Sequence, residues 1–239
     1  MDARQKVIIA LDDPLYDQAV RIVSLLGDDV SFYKVGAGLY ASAGEKILSF
    51  LKDAGKKIFL DMKFHDIPSA VAAAGRAMVV RGVDMFTVHT GGGVEMMSAC
   101  RRAVSEAASA AGSEPPKILG VTILTSISER ILREELLSDI PIPRLVVHLA
   151  ETAKKAGVDG VVASPLELSL LRKYHPENFI IVTPGIRPAG TDKHEQKRTL
   201  TPAEAIHRGA SYIVVGRAVT DAPEPAEALQ RIYEEIEII

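Results

Sequence analysis

Short apolar runs rich in Val and Ile recur along the chain, each bounded by Gly, Asp or Pro and followed by a longer amphipathic stretch. They are KVIIALD from Lys6, SFYKVG from Ser31, KIFLDMK from Lys57, VDMFTVH from Val83 and KILGVTIL from Lys117. DGVVAS from Asp159, FIIVTPGI from Phe179 and SYIVVGRA from Ser211 complete the set. Such a run followed by a 3.6-residue apolar period reads as strand then helix, and the alternation predicts a parallel sheet. Eight runs in 239 residues give roughly one per 30, the length of a βα unit. The expectation is a single (β/α)8 barrel domain over residues 1–239.

The intervening stretches carry helix signals. Leu15, Ala19, Ile22, Val23 and Leu26 fall on one face behind Asp12-Asp13-Pro14. Thr201-Pro202 reads as a capping hydroxyl before a first-turn proline, and Ser164-Pro165 and Asp66-Ile67-Pro68 are similar entries. Gly157 and Gly209 read as helix exits into a strand. The longest irregular candidate is AGTDKHEQKR from Ala189 to Arg198, which predicts a polar lid at about 187–198 after the seventh strand. An open doubly wound sheet is the competing architecture. It wants a glycine fingerprint after its first strand, where Asp12-Asp13-Pro14 stands. Gly36-Ala37-Gly38 begins such a pattern, but Ala41 occupies the third glycine's place.

Composition narrows the function. Lys+Arg 28 against Asp+Glu 31 leaves a net charge of −3, which speaks against a broad nucleic-acid or membrane-binding surface but permits a local phosphate site. The lone Cys100 offers neither an intramolecular disulfide nor a zinc cluster. No stretch approaches the ~20 apolar residues of a spanning helix. The N-terminal apolar run is too short for a secretion signal, and a cytoplasmic location is expected.

Chemistry in such a barrel gathers at the C-terminal ends of the strands. Alternation places Phe59, Asp61 and Lys63 on one face of the third run and Ile58, Leu60 and Met62 on the other. Packing the aliphatic set on the helices turns Asp61 and Lys63 inward, and the same reasoning turns Asp12 and Lys34 inward on the first two strands. Asp66 lies just beyond. Charges in a partly dry site must pair, so an ion-pair network closing the barrel is the structural alternative. As chemistry, the array offers an ammonium hemmed in by acids, a poor Schiff-base nucleophile and a good positioned proton donor. A second group follows strands seven and eight: Pro184, Gly185, Arg187, Gly216 and Arg217, with Gln196 on the polar segment. Barrels often hold phosphate there, through backbone N–H groups and an arginine fork. Thr125 and Ser126 after strand five offer hydroxyls to a polar ring edge. His65 and His89 lack metal-ligand spacing, so no metal is expected, and Gly91-Gly92-Gly93 reads as a tight turn.

Asp61-Met62-Lys63-Phe64-His65-Asp66-Ile67-Pro68 resembles the D-x-K-x-x-D signature of the orotidine 5′-phosphate decarboxylase family. The family's other markers appear in order around it: Ala-Leu-Asp12, Tyr-Lys34-Val-Gly, Leu-Thr125-Ser126, Thr-Pro184-Gly-Ile-Arg187-Pro, Gln196 and Val-Val-Gly216-Arg217. The resemblance implies decarboxylation of orotidine 5′-monophosphate to uridine 5′-monophosphate, without cofactor or metal. It further implies that Asp12 and Lys34 bind the ribose, and that Asp61 places negative charge beside the departing carboxylate. Lys63 would protonate the C6 carbanion. Thr125 and Ser126 would meet the pyrimidine, Arg187, Gln196, Gly216 and Arg217 would surround the lid and phosphate, and Pro184 would be a further substrate contact. Asp66, with Ile67, would complete the partner's site in a homodimer. Ala70 departs from the family's usual Thr. Three rivals stand beside this reading: a Mg2+-dependent sugar-phosphate relative, a non-catalytic nucleotide-binding barrel, and a Schiff-base aldolase.

Overall fold

The computed structural model describes residues 3–188 and 199–237. Every apolar run contains a strand: β1 (Val7–Leu11), β2 (Phe32–Gly36), β3 (Lys57–Phe64), β4 (Met85–His89), β5 (Lys117–Val121), β6 (Gly160–Val162), β7 (Ile180–Thr183) and β8 (Tyr212–Val215). All neighbours pair in parallel, and β1 also pairs with β8, so the sheet closes on itself as a (β/α)8 barrel with no free edge. Among the described residues, no helix is long and apolar enough to cross a membrane.

Side-chain alternation sorts the apolar residues into two shells. Ile8, Ala10, Phe32, Phe59, Met85 and Leu119 pack inside the barrel, whereas Ile9, Leu11, Tyr33, Val35, Ile58 and Leu60 pack in the layer that includes the helices. Phe32 and Tyr212 meet edge to face, 5.9 Å between ring centroids. Polar residues just before alternate strands tie down the barrel's N-terminal end. Asp84 accepts from the Ile58 N–H at 2.8 Å, Asp159 from Ile118 at 2.9 Å and the Ser211 hydroxyl from Ile181 at 3.1 Å. Asp159 also pairs with Arg101 and Lys117. These clasps satisfy backbone donors at the strand starts and leave the opposite end open for a site.

The caps largely follow the sequence. Thr201 and Glu204 form a capping box at the start of the helix Pro202–His207, and the Ser164 hydroxyl accepts from the Leu166 N–H. Gly157 and Gly209 adopt φ of 77° and 98°, where only glycine is at ease. Two expectations need correction. Leu15 does not belong to the buried face: the helix spans Tyr16–Leu26, and Leu15 precedes it, 61% exposed, in a turn closed by its N–H donating to Asp13 Oδ1 at 2.7 Å. The runs from Lys117, Asp159, Phe179 and Ser211 are longer than their strands, which end at Val121, Val162, Thr183 and Val215. Arg217 thus opens the short helix Arg217–Thr220 instead of ending a strand.

Candidate active site

The site begins with an irregularity in β3. Leu60 pairs with Phe86 and Phe64 with Val88, so residues 61–63 of β3 face the single residue Thr87 of β4. This bulge carries Lys63 at φ 52°, a left-handed conformation that costs a side-chain-bearing residue roughly 1–2 kcal/mol. Simple alternation is therefore interrupted where the sequence argument relied on it. Asp61 and Lys63 nevertheless both face the barrel mouth, because the bulge re-aims the lysine.

Four charges interlock there, Asp12 just past the end of β1 and the others on β2 and β3. Lys34 Nζ lies 2.9 Å from Asp12 Oδ1 and 3.9 Å from Asp61 Oδ2, and Lys63 Nζ donates to Asp61 Oδ2 at 2.8 Å. The Thr87 hydroxyl donates to Asp61 Oδ1 at 2.9 Å and accepts from the Lys63 N–H at 2.8 Å. Exposure grades along the chain of charges. The side chains of Lys34 and Asp61 are 11% and 14% exposed, against 38% for Lys63. The Asp61 carboxylate is thus held between two ammoniums and a hydroxyl, while Lys63 keeps access to the cavity.

That cavity, about 290 Å³, is lined by Asp12, Lys34, Asp61 and Lys63 on one side and by Pro184, Gly185, Arg187, Gly216 and Arg217 on another. Its lining carries two carboxylates (Asp12, Asp61) and four cations (Lys34, Lys63, Arg187, Arg217), an excess suited to an anionic ligand. Arg187 is 9% exposed; its Nη1 donates to the Ile186 carbonyl at 3.0 Å, and among the described residues its Nε has no hydrogen-bond partner. Burial, and next the positive charge of Arg217, lower its pKa. Burying this guanidinium with an open donor has a cost that an anion in the cavity would offset. Gly216 sits close to the network: a Cβ there would lie 3.1 Å from Asp12 Oδ2. Thr125 and Ser126 reach the same cavity from a turn beyond β5, not from the strand itself.

Asp66 is not drawn in. It is exposed, and its Oδ1 accepts from the Ile67 N–H at 2.6 Å. Ile67 is 66% exposed, and Ser69 and Ala70 are exposed beside it. Gln196 and the segment 189–198, most of the expected lid, lie outside the described residues. His89 Nδ1 accepts from the Gly91 N–H at 3.1 Å, and its ring stacks on His65 with centroids 5.0 Å apart. Burial, then His65 and Lys63, push its pKa below the ordinary value. Among the described residues, no group of three or more His, Cys, Asp or Glu could hold a metal ion.

Sequence reasoning missed Thr87. The signal was available: it is the polar residue between Met85 and His89 on the inward face of the fourth run. The apolar wall of Val121, Ile123, Leu124 and Val162 was missed too, since nothing in sequence separates such residues from barrel core.

Comparison with known proteins agrees over nearly the whole chain. The model of the family described as Orotidine 5'-phosphate decarboxylase / HUMPS matches residues 5–232. The orotidine 5'-phosphate decarboxylase of Moorella thermoacetica is 44% identical over 239 residues, covering 100% of this chain and 95% of the relative. The enzyme of that name from a Nostoc species is 44% identical over 234 residues, covering 98% of each. Among solved structures, orotidine 5'-phosphate decarboxylase from Lactobacillus acidophilus superposes with a TM-score of 0.85 at 42% identity, covering 96% of this chain and 98% of that one.

Proposed function

This chain belongs to the orotidine 5'-phosphate decarboxylase / HUMPS family, and from that membership we propose that it decarboxylates orotidine 5′-monophosphate to uridine 5′-monophosphate and CO2. The observation that carries the reading is the Asp12–Lys34–Asp61–Lys63 network at the mouth of a cationic cavity, in a chain 44% identical end to end to enzymes of that name.

The chemistry asks for what this array offers. Breaking the bond between C6 and the carboxylate leaves an electron pair in an sp2 orbital orthogonal to the ring π-system, so ring delocalisation does not absorb it. Fixed charges must lower the barrier, and each 1.36 kcal/mol is worth tenfold in rate. Asp61 sets a negative charge beside the departing carboxylate. As CO2 leaves, the electron pair at C6 takes a proton from Lys63 Nζ; a C6–H bond forms, and the amine regains its proton from solvent. Thr125 and Ser126 are suited to the pyrimidine edge, and Asp12 and Lys34 to the ribose hydroxyls. Arg187, Gly216 and Arg217, with Pro184 beside them, suit the phosphate. Binding energy from the phosphate, remote from C6, can then be spent on the transition state.

Asp66 and Ile67 belong in this reading to the partner's site in a homodimer. Support comes from the exposure of both residues immediately beyond the catalytic strand. Ala70 removes one hydroxyl that the family usually contributes across the interface, a loss of about 0.5–1.5 kcal/mol. Mixing Lys63→Ala and Asp66→Ala dimers should restore about one working site per heterodimer. Verified subunit exchange without recovery contradicts sharing.

The family's name spans two activities, and a chelator separates them. Ultraviolet monitoring should show orotidine monophosphate consumed, with UMP formed, in the presence of EDTA. A Mg2+-stabilised enediolate chemistry would stop under those conditions, and absence of turnover would overturn the assignment.

A further inference from the structure

Thr87 is fully buried in β4, and one atom of it solves two problems created by the bulge. Three residues of β3 stand opposite it, so the regular ladder offers the Lys63 N–H no partner; Thr87 Oγ1 accepts that hydrogen at 2.8 Å. The same hydroxyl donates to Asp61 Oδ1 at 2.9 Å. The directions are fixed by chemistry, because an amide N–H only donates and an ionised carboxylate only accepts. With Oδ1 held in this way, Oδ2 is the oxygen turned towards Lys63 at 2.8 Å and Lys34 at 3.9 Å.

We propose that Thr87 is a positioning residue for the decarboxylation: it sets the rotamer of Asp61 and holds the left-handed backbone of Lys63. It touches no substrate, being absent from the lining of the cavity. Its effect passes through the two residues that do the chemistry, so the inference rests on the functional reading given above. A hydroxyl that merely satisfied a core donor would need only one of the two bonds. Thr87 makes both, one to each member of the reacting Asp–Lys pair.

Valine matches threonine in shape and keeps neither bond, whereas serine keeps the hydroxyl. Thr87→Val should lower kcat by about tenfold to a hundredfold, with KM and UMP affinity moving less than about threefold, since the lost bonds orient reacting groups and do not hold ligand. Thr87→Ser should recover most of that loss. A crystal structure of Thr87→Val should show Lys63 leaving φ near 52° or the Asp61 carboxylate rotated. A valine variant turning over within about twofold of the parent, even with a lowered melting temperature, would overturn the proposal. So would a serine variant as slow as valine, or a valine crystal structure with Asp61 and Lys63 unmoved. Inactivity of the parent on orotidine monophosphate would sink the functional reading alone, and the crystallographic comparison would still judge Thr87.

Discussion

Lys63 combines a half-exposed amine, a largely buried carboxylate partner and a left-handed backbone, and these separate on substitution. Lys63→Ala loses the ammonium but keeps the backbone strain, whereas Lys63→Gly loses the ammonium and relieves it. The glycine variant should therefore be more stable than the alanine variant by about 0.5–1 kcal/mol, as read by denaturant unfolding. Equal stability would mean that the cost of φ 52° does not exceed glycine's own entropic penalty. Arg217 lines the cavity, and the proposed function gives it the phosphate. Arg217→Ala should raise KM by about tenfold to a hundredfold, the worth of hydrogen bonds to a charged group. A change confined to kcat would misplace the phosphate.

At the scale of elements, the barrel depends on close approaches that glycine permits. A Cβ on Gly160 in β6 would meet the Ile180 carbonyl oxygen at 2.0 Å, backbone against backbone, with no rotamer able to yield. A Cβ on Gly75, in the helix Pro68–Val80, would meet Cys100 Sγ at 2.8 Å and Val104 Cγ2 at 2.9 Å, and both of these can shift. Gly75→Ala should cost about 1–3 kcal/mol in chemical denaturation, and Gly160→Ala more. The reverse order would contradict the packing. The periodicity of apolar runs made all eight strands legible, because burial on both faces of a parallel sheet leaves continuous Val/Ile segments. Asp12, Lys34, Asp61 and Lys63 were legible for the same reason, as charges where the inward alternation reaches the barrel mouth. The bulge at 61–63 was not legible, since register depends on the partner strand. Thr87 owes its importance to that bulge, and the apolar cavity wall looks in sequence like any other core. Leu15 misled because it continues a helical period beyond the turn that Asp13 closes.

Across the whole molecule, one buried histidine links stability to pH. His175 stacks on Phe179 with ring centroids 4.6 Å apart; among the described residues neither ring nitrogen has a hydrogen-bond partner, and Glu151 Oε1 lies 3.5 Å from Nε2. Burial lowers its pKa; Glu151 opposes this, and Lys154 and Arg172 reinforce it. The folded protein therefore keeps the ring neutral, while the unfolded chain takes a proton near the ordinary value of about 6.5. The stability tied to this neutral ring is complete above that value and drains away as pH falls towards the lowered one. His89 shifts in the same direction. His175→Phe should shrink the loss of stability between about pH 7 and pH 5, measured by urea unfolding at each pH. An unchanged slope would remove His175 from the account.

The barrel mouth holds the Lys63 ammonium against the Asp61 carboxylate in a cationic cavity, and the reading proposed above makes this group the proton donor to the carbanion at C6. Turnover of orotidine monophosphate by Lys63→Ala, at saturating substrate and beside the parent, tests that claim most directly. Turnover should fall by about a thousandfold or more in a folded protein that still binds UMP. Near-normal turnover by Lys63→Ala would contradict it.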